Sequence, residues 1–126
     1  MKDNRFRRAL QRLTASDDER ESEALQERAA REGAEPVVRC GDRQQVCVSG
    51  EVRSVRVDAR GGSPVLEVEV YDGTGVLTVI FLGRRSVAAL TAGRSLTVRG
   101  RITMTDGRRT MFNPAYDLLP VDAAAR

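Results

Sequence analysis

The sequence predicts a mainly β protein: a five-stranded barrel with a short helix between strands three and four, preceded by an N-terminal helical arm. Three features of the 126 residues support this prediction. Apolar and polar residues alternate in several runs after Gln45, two Asp-Gly pairs separate such runs, and the first 35 residues lack this alternation. A period of two is typical of half-buried strands, and Asp-Gly is typical of tight hairpin turns.

Residues 1–35 are expected to form an arm of two short helices. The first carries an apolar stripe at helical spacing (Phe6, Leu10 and Leu13). Ser16, followed three residues later by Glu19, predicts the capped start of the second helix. Leu25 is the only large apolar residue of that helix, so we expect the arm to be exposed or only loosely docked.

Residues 36–120 are expected to form the β domain, and residues 121–126 a disordered tail. The predicted strands are Gln45–Val57, Pro64–Tyr71, Val76–Leu82, Ser95–Met104 and Arg108–Leu118, and the short helix is Ser86–Leu90. In the first strand the apolar parity changes after Val52, close to Gly50, which predicts a bulge or sharp bend. This order of elements is that of an OB-fold barrel, with an open meander or a small sandwich as alternatives.

Positive charge is concentrated in one stretch of the β domain. Residues 74–113 hold seven arginines and one acid, Asp106, for a balance of +6 in a chain whose net charge is +3. Lys2 is the only lysine, and this bias is typical of GC-rich coding sequence, so arginine content alone carries little weight. Coding bias does not explain why residues 74–113 contain only one acid. A basic β surface indicates a polyanionic partner such as nucleic acid.

Five segments resemble known nucleic-acid-binding domains. They are Val48-Ser49-Gly50-Glu51-Val52, Tyr71-Asp72-Gly73-Thr74-Gly75, Phe81-Leu82-Gly83-Arg84-Arg85, Val98-Arg99-Gly100-Arg101-Ile102 and Asn113-Pro114-Ala115-Tyr116. Together they resemble small stand-alone actinobacterial OB-fold nucleic acid binding domain proteins, and also the OB-fold wedge domain of RecG-type helicases. The resemblance covers about Asp42–Leu119 and implies non-catalytic binding of single-stranded or branched nucleic acid. No GxxxxGK[ST] motif is present, so the helicase motor is missing.

The expected binding surface is arginine-rich and accommodates DNA or RNA with little sequence preference. OB-folds bind ligands across strands two and three and between the loops that join strands one to two and four to five. Tyr71 shares the outward face of Glu67 and Glu69 and is the preferred base-stacking residue, whereas Phe81 is expected to pack in the core or at its rim. Phe112 and Tyr116 are further stacking candidates. The predicted binding residues are Arg53, Arg60, Tyr71, Arg84, Arg85, Arg99, Arg101, Arg108 and Arg109.

Composition argues against catalysis and against a cofactor. The absence of histidine excludes Ser-His-Asp and Cys-His arrangements, and Cys40 and Cys47 alone cannot complete a zinc site. Glu67 and Glu69 could in principle hold a divalent ion, but a solvated outer face is the better interpretation. No apolar run approaches membrane-spanning length, and we expect a cytoplasmic protein without cofactor or metal. The competing hypothesis is a protein–protein adaptor whose helical arm docks on a partner.

Overall fold

The computed structural model describes residues 2–121, with side chains described for residues 16–59 and 61–121. One α-helix, α1 (Lys2–Arg31), precedes a 3₁₀ turn at Val37–Arg39. Seven strands follow: β1 (Gln45–Arg60), β2 (Ser63–Tyr71), β3 (Val76–Leu82), β4 (Ser95–Arg101), β5 (Thr103–Thr105), β6 (Arg108–Phe112) and β7 (Ala115–Leu118). The fold is therefore mainly β, as predicted.

The strands form one strongly curled sheet in the order β5-β6-β3-β2-β1-β4-β7. Neighbouring strands are antiparallel except β3 and β6, which are parallel. Because β5 continues β4 and β7 continues β6, the same two chain segments supply both edges of the curled sheet. The long β1 pairs with β4 through its first half and with β2 through its second half. A register shift between Val52 and Ser54 confirms the predicted bulge.

The expected count of five strands is wrong because two of the predicted strands are interrupted. Ile102 is fully buried and pairs with the loop before β1: its N–H donates to Gln44 O and its carbonyl accepts from Arg43 N. This bend separates β4 from β5. Asn113 adopts a φ of 46° and Pro114 has no N–H to donate, which separates β6 from β7.

The predicted helix Ser86–Leu90 is also wrong. Within the described residues, the segment between β3 and β4 contains turns instead, one of them closed by a hydrogen bond from Leu90 N to Val87 O of 3.1 Å. Ala89 at a φ of 63° interrupts any helical path, and this turn directs Val87 and Leu90 into the core. So short a segment gains few helical hydrogen bonds, and core packing decides its conformation.

The two helices predicted for the arm are replaced by the single α1, which runs through Ser16 without a break. The apolar stripe at Phe6, Leu10 and Leu13 lies outside the residues whose side chains are described, and residues 122–126 of the predicted tail lie outside the described chain. The C-terminal half of α1 docks on the sheet through buried Leu25 and Ala29. Where α1 docks, Ser22 Oγ donates a hydrogen bond of 2.6 Å to Gly73 O.

The core lies inside the curl of the sheet and is made mostly of valine and leucine. Its buried cluster contains Val37, Cys40, Val46, Val48, Val52, Leu66, Val68, Val70, Leu77, Val79, Phe81, Val87, Leu90, Leu96, Val98, Ile102 and Met111. Phe81 contacts Tyr116 edge to face with ring centroids 5.6 Å apart, consistent with the expected packing of Phe81. Both cysteines are free thiols, and burial raises the pKa of Cys40.

Candidate nucleic-acid interface

The outer face of β1, β2, β3 and β6 forms the candidate interface. On β2 and β3 the side chains of Leu66, Val68, Val79 and Phe81 point into the core, so strand alternation places the residues between them on the outer face. Several outer residues are nevertheless buried: Val65, Glu67, Thr78, Ile80 and Thr110. A groove of about 350 Å³ lies beside them, lined by Ser54, Val55, Arg56, Glu67 and Glu69.

Glu67 holds two arginines on this outer face. Its Oε1 accepts a hydrogen bond of 3.0 Å from Arg108 Nη1, and its Oε2 accepts a short one from Arg56 Nη2. The Glu67 side chain is 6% exposed, whereas those of Arg56 and Arg108 are 68% and 47% exposed. The carboxylate therefore lies beneath two guanidinium groups whose remaining N–H donors are available to a ligand.

The charge state of Glu67 follows from this arrangement. Burial raises the pKa of the carboxyl, but the hydrogen bonds and charges of Arg56 and Arg108 outweigh burial, so the pKa lies below its ordinary value. Glu67 is therefore an anion at neutral pH. Because it is paired with two arginines, the Glu67 carboxylate repels a phosphate on this face less than an unpaired carboxylate would.

The rim of the interface is apolar on one side and basic at one end. Phe112 and Leu82 are 40% and 49% exposed, and Phe112 pairs in register with Ile80. Beyond Leu82 the exposed Arg84 and Arg85 follow, with no ion-pair partner among the residues described. Arg85 lines a cavity of about 250 Å³ with the β1–β2 hairpin (Val57, Asp58, Ala59, Gly62 and Pro64).

Two predicted binding residues, Arg53 and Tyr71, contact one another near α1. The Arg53 guanidinium lies over the Tyr71 ring, 4.8 Å from its centroid. Arg53 Nη2 also pairs with Glu21 of α1 at 2.8 Å, and the Tyr71 hydroxyl donates to Gly73 O at 3.3 Å. One face of the preferred stacking ring is thus occupied by a side chain of the protein itself.

The remaining predicted residues do not form one patch. Arg109 is half-buried and binds the backbone, donating from Nε to Cys40 O at 2.9 Å and from Nη2 to Val38 O at 3.0 Å. Arg99 on β4 pairs with Asp117 of β7 at 3.0 Å. Arg101 is exposed at the end of β4, and the side chain of Arg60, in the β1–β2 hairpin, lies outside the described residues.

Arg56 was missed by the sequence analysis. The bulge between Val52 and Ser54 shifts the parity of β1, and the resulting register places Arg56 opposite Glu67. The parity change was visible in the sequence, but which arginine faces Glu67 depends on the number of residues in the bulge and on the hairpin register.

Neither a metal centre nor a membrane span is found in the described part of the chain. Among residues 16–59 and 61–121, whose side chains are described, no group of three or more acidic or cysteine side chains is placed to hold a metal ion. No helix among residues 2–121 combines the length and apolarity that crossing a bilayer requires.

Comparison with known proteins supports the fold. No curated protein matches the sequence. A solved structure of RecG bound to a three-way DNA junction is similar over 65% of this chain, with a TM-score of 0.52 and 15% identity. The chain spans only 12% of that RecG chain, so the likeness concerns the fold. The model of the OB-fold nucleic acid binding domain family, tRNA_anti-codon, matches residues 46–119, which is more than half of the sequence. The chain therefore belongs to the OB-fold nucleic acid binding domain family.

Proposed function

We propose that the protein binds single-stranded or branched nucleic acid, weakly and with little sequence preference, on the outer face of β1, β2, β3 and β6. The observation that carries the proposal is the pair Arg56 and Arg108, which Glu67 holds on that face. Each guanidinium has five N–H donors, so bonding to Glu67 leaves donors for a phosphate. The family match and the likeness to a DNA-bound RecG support nucleic acid as the partner.

The charge of the interface favours weak binding. Arg56 and Arg108 are balanced in number by Glu67 and Glu69, and the surplus comes from Arg84 and Arg85 at one end. Phosphate contacts supply most of the affinity in binding without sequence preference, so a modest surplus of positive charge gives modest affinity. Arg60, Arg99 and Arg101 stay proposed additional contacts, whereas the backbone contacts of Arg109 favour a structural role.

Phe112 is the residue that we propose to stack on a base. Its ring is partly exposed on the same face as Arg108, four residues earlier on β6. Tyr71 stays a second candidate, with one ring face already covered by Arg53. If Phe112 stacks, Phe112→Ala weakens binding by about 1–3 kcal/mol and Tyr71→Ala has the smaller effect.

Fluorescence anisotropy with a labelled single strand and a three-way junction, measured from low to moderate salt, tests the proposal. With about four to six phosphates contacted, log affinity falls against log salt with a slope of about −3 to −4 on single strands. Changing Arg84 and Arg85 together to Ala flattens that slope by about 1 to 1.5 units. Arg31→Ala, which removes an exposed arginine from α1, is the control. It flattens the slope less than the double change at Arg84 and Arg85. No detectable binding at low salt would refute the proposal.

Binding without catalysis completes the proposal. Without histidine the Ser-His-Asp and Cys-His arrangements cannot form, and no GxxxxGK[ST] motif is present to bind a nucleotide. No detectable nucleic-acid binding at low salt, with a folded protein, would instead favour the adaptor hypothesis, in which α1 contacts another protein.

A further inference from the structure

A cavity of about 220 Å³ lies away from the candidate interface, between α1, the start of β4 and the segment after β7. It is lined by Arg28, Glu51, Gly93, Arg94, Ser95, Leu119, Pro120 and Val121. Two arginines from different elements therefore converge on a space large enough for a small anion. The proposed interface residues do not include either of them.

Arg94 has a fixed backbone and an unsatisfied side chain. Its carbonyl accepts a hydrogen bond of 2.8 Å from Val52 N, and its N–H donates to Thr91 O at 3.1 Å. The Nε atom of Arg94 is buried and has no hydrogen-bond partner among the described residues. Nε is too enclosed for a ligand oxygen to reach it, so a ligand in the cavity would bond to the terminal Nη groups of Arg94, the residue that lines it.

Arg28 and Ser95 add donors on the opposite wall. Arg28 donates from Nη1 to Ser95 Oγ at 3.2 Å and from Nη2 to Pro120 O at 3.3 Å. Because the Ser95 oxygen accepts from Arg28, its own O–H remains able to donate to a ligand. Glu51 is the one acid of the lining, and its carboxylate lies 3.6 Å from Arg53, which also pairs with Glu21 at 2.8 Å and therefore offsets the charge of Glu51 only in part.

We propose that this cavity binds a phosphate group between Arg28 and Arg94. Guanidinium groups match phosphate oxygens in geometry as well as charge, and donors from three side chains suit a tetrahedral oxyanion better than a planar carboxylate. The phosphate is either free inorganic phosphate or the terminal phosphate of a nucleic acid strand. The site does not depend on the proposed interface.

Thermal unfolding in phosphate and in chloride, at equal pH and ionic strength, tests the site. At a phosphate concentration about ten times Kd, the ratio of folded to unfolded protein rises about tenfold. Arg94→Met keeps the aliphatic packing and removes the unpaired donor. We expect it to abolish this gain while leaving the Tm in chloride unchanged or higher. Arg31→Ala, on the same helix as Arg28, is the matched control and keeps the gain.

Phosphate also stabilises proteins in general by its exclusion from their surfaces, so the difference between wild type and Arg94→Met is the quantity that decides. An equal increase in stability on changing from chloride to phosphate in both proteins would overturn the proposed site. An NMR titration of the wild type with inorganic phosphate gives a second readout, in which amides of Gly93, Arg94 and Ser95 shift if the site exists. Their failure to shift would likewise overturn it.

Oligonucleotides with and without a 5′-phosphate distinguish the two sources. Several-fold tighter binding of the phosphorylated strand, lost in Arg94→Met, identifies a strand terminus as the ligand. Equal affinities together with a positive result for inorganic phosphate identify the free anion. The unfolding and NMR experiments with inorganic phosphate contain no oligonucleotide. Their results therefore do not depend on whether the protein binds nucleic acid.

Discussion

Replacing Arg56 and Arg108 together by Ala destabilises the protein by far more than the two single changes combined. Each single change leaves Glu67 paired with the other arginine, and ion pairs of exposed arginines contribute little individually. The double change leaves a buried carboxylate with neither partner. Removal of all compensation from a buried charge is strongly unfavourable, so the effects are not additive.

The structure sets an upper limit on this effect. An uncompensated Glu67 can escape by taking up a proton, and at pH 7 protonating a carboxyl of ordinary pKa requires about 3.4 kcal/mol, at about 1.36 kcal/mol per pH unit. The ionisation of Glu67 therefore contributes at most about 3.4 kcal/mol to the destabilisation, at about 1.36 kcal/mol per pH unit. This contribution becomes smaller if water reaches the carboxylate when the arginines are removed.

Urea unfolding of the two single variants, the double variant and each of them combined with Glu67→Gln measures the effect. In the Glu67→Gln background no buried charge remains, so the double arginine change has a small effect. Purely additive effects in the Glu67 background, or the same large effect in both backgrounds, would show that Glu67 does not depend on the two arginines.

The contribution of Glu67 to the free energy of unfolding depends on pH with opposite signs in the wild type and in the double variant. In wild type the lowered pKa of Glu67 gives a stabilisation that is present above its unfolded value of about 4.5 and lost as pH falls through the folded value. In the double variant burial alone raises the pKa, so its destabilisation is relieved as pH falls toward 4.5. The stability gap between the two proteins therefore narrows on acidification.

Three further predictions concern α1, the core and catalysis. Gly73→Ala undocks the C-terminal half of α1, because a Cβ would lie 2.3 Å from Ser22 O; hydrogen exchange of residues 22–31 measures this. Gly61→Ala, which also has a positive φ but no atom within 4 Å of its Cβ, is the control, and equal exchange in both variants would contradict the contact. A chain beginning at Pro36 still unfolds cooperatively in urea, because the described core cluster begins at Val37; an insoluble or non-cooperative product would refute this. Neither ATP nor an oligonucleotide is turned over, and turnover that a point substitution abolishes would disprove a purely binding role.

The sequence predicted the strands better than the connections between them. Alternation placed β1 and β2 to within three residues because each buries one face in the core, and a continuous apolar run placed β3, which is buried on both faces. Alternation did not predict the break at Ile102, which lies within an apparently regular run and is diverted by hydrogen bonds to the loop before β1. The break at Asn113 had a signal in the sequence, since Pro114 cannot donate to a strand ladder, but the predicted strand was carried through it. The segment Ser86–Leu90 combined a favourable cap with apolar spacing, but packing of Val87 and Leu90 against the core determined its turn.

The candidate site was less predictable than the fold because it depends on pairing across strands. Charge density indicated an arginine-rich surface, but four of its expected residues have partners within the protein: Arg53, Arg99, Arg108 and Arg109. Arg56 became visible only once the bulge and the β1–β2 register were known. The cytoplasmic location and the division at residue 35 stay predictions.

The central claim is that nucleic acid binds on the outer face of β1, β2, β3 and β6. Backbone NMR with an oligonucleotide of about 12 nucleotides, within the site sizes of OB-folds, tests it most directly. The account predicts that amide shifts concentrate at residues 54–58, 65–69, 78–85 and 108–112, and that they diminish as salt is raised. Shifts confined to β4, β7 or α1, or no shifts at low salt, would contradict it.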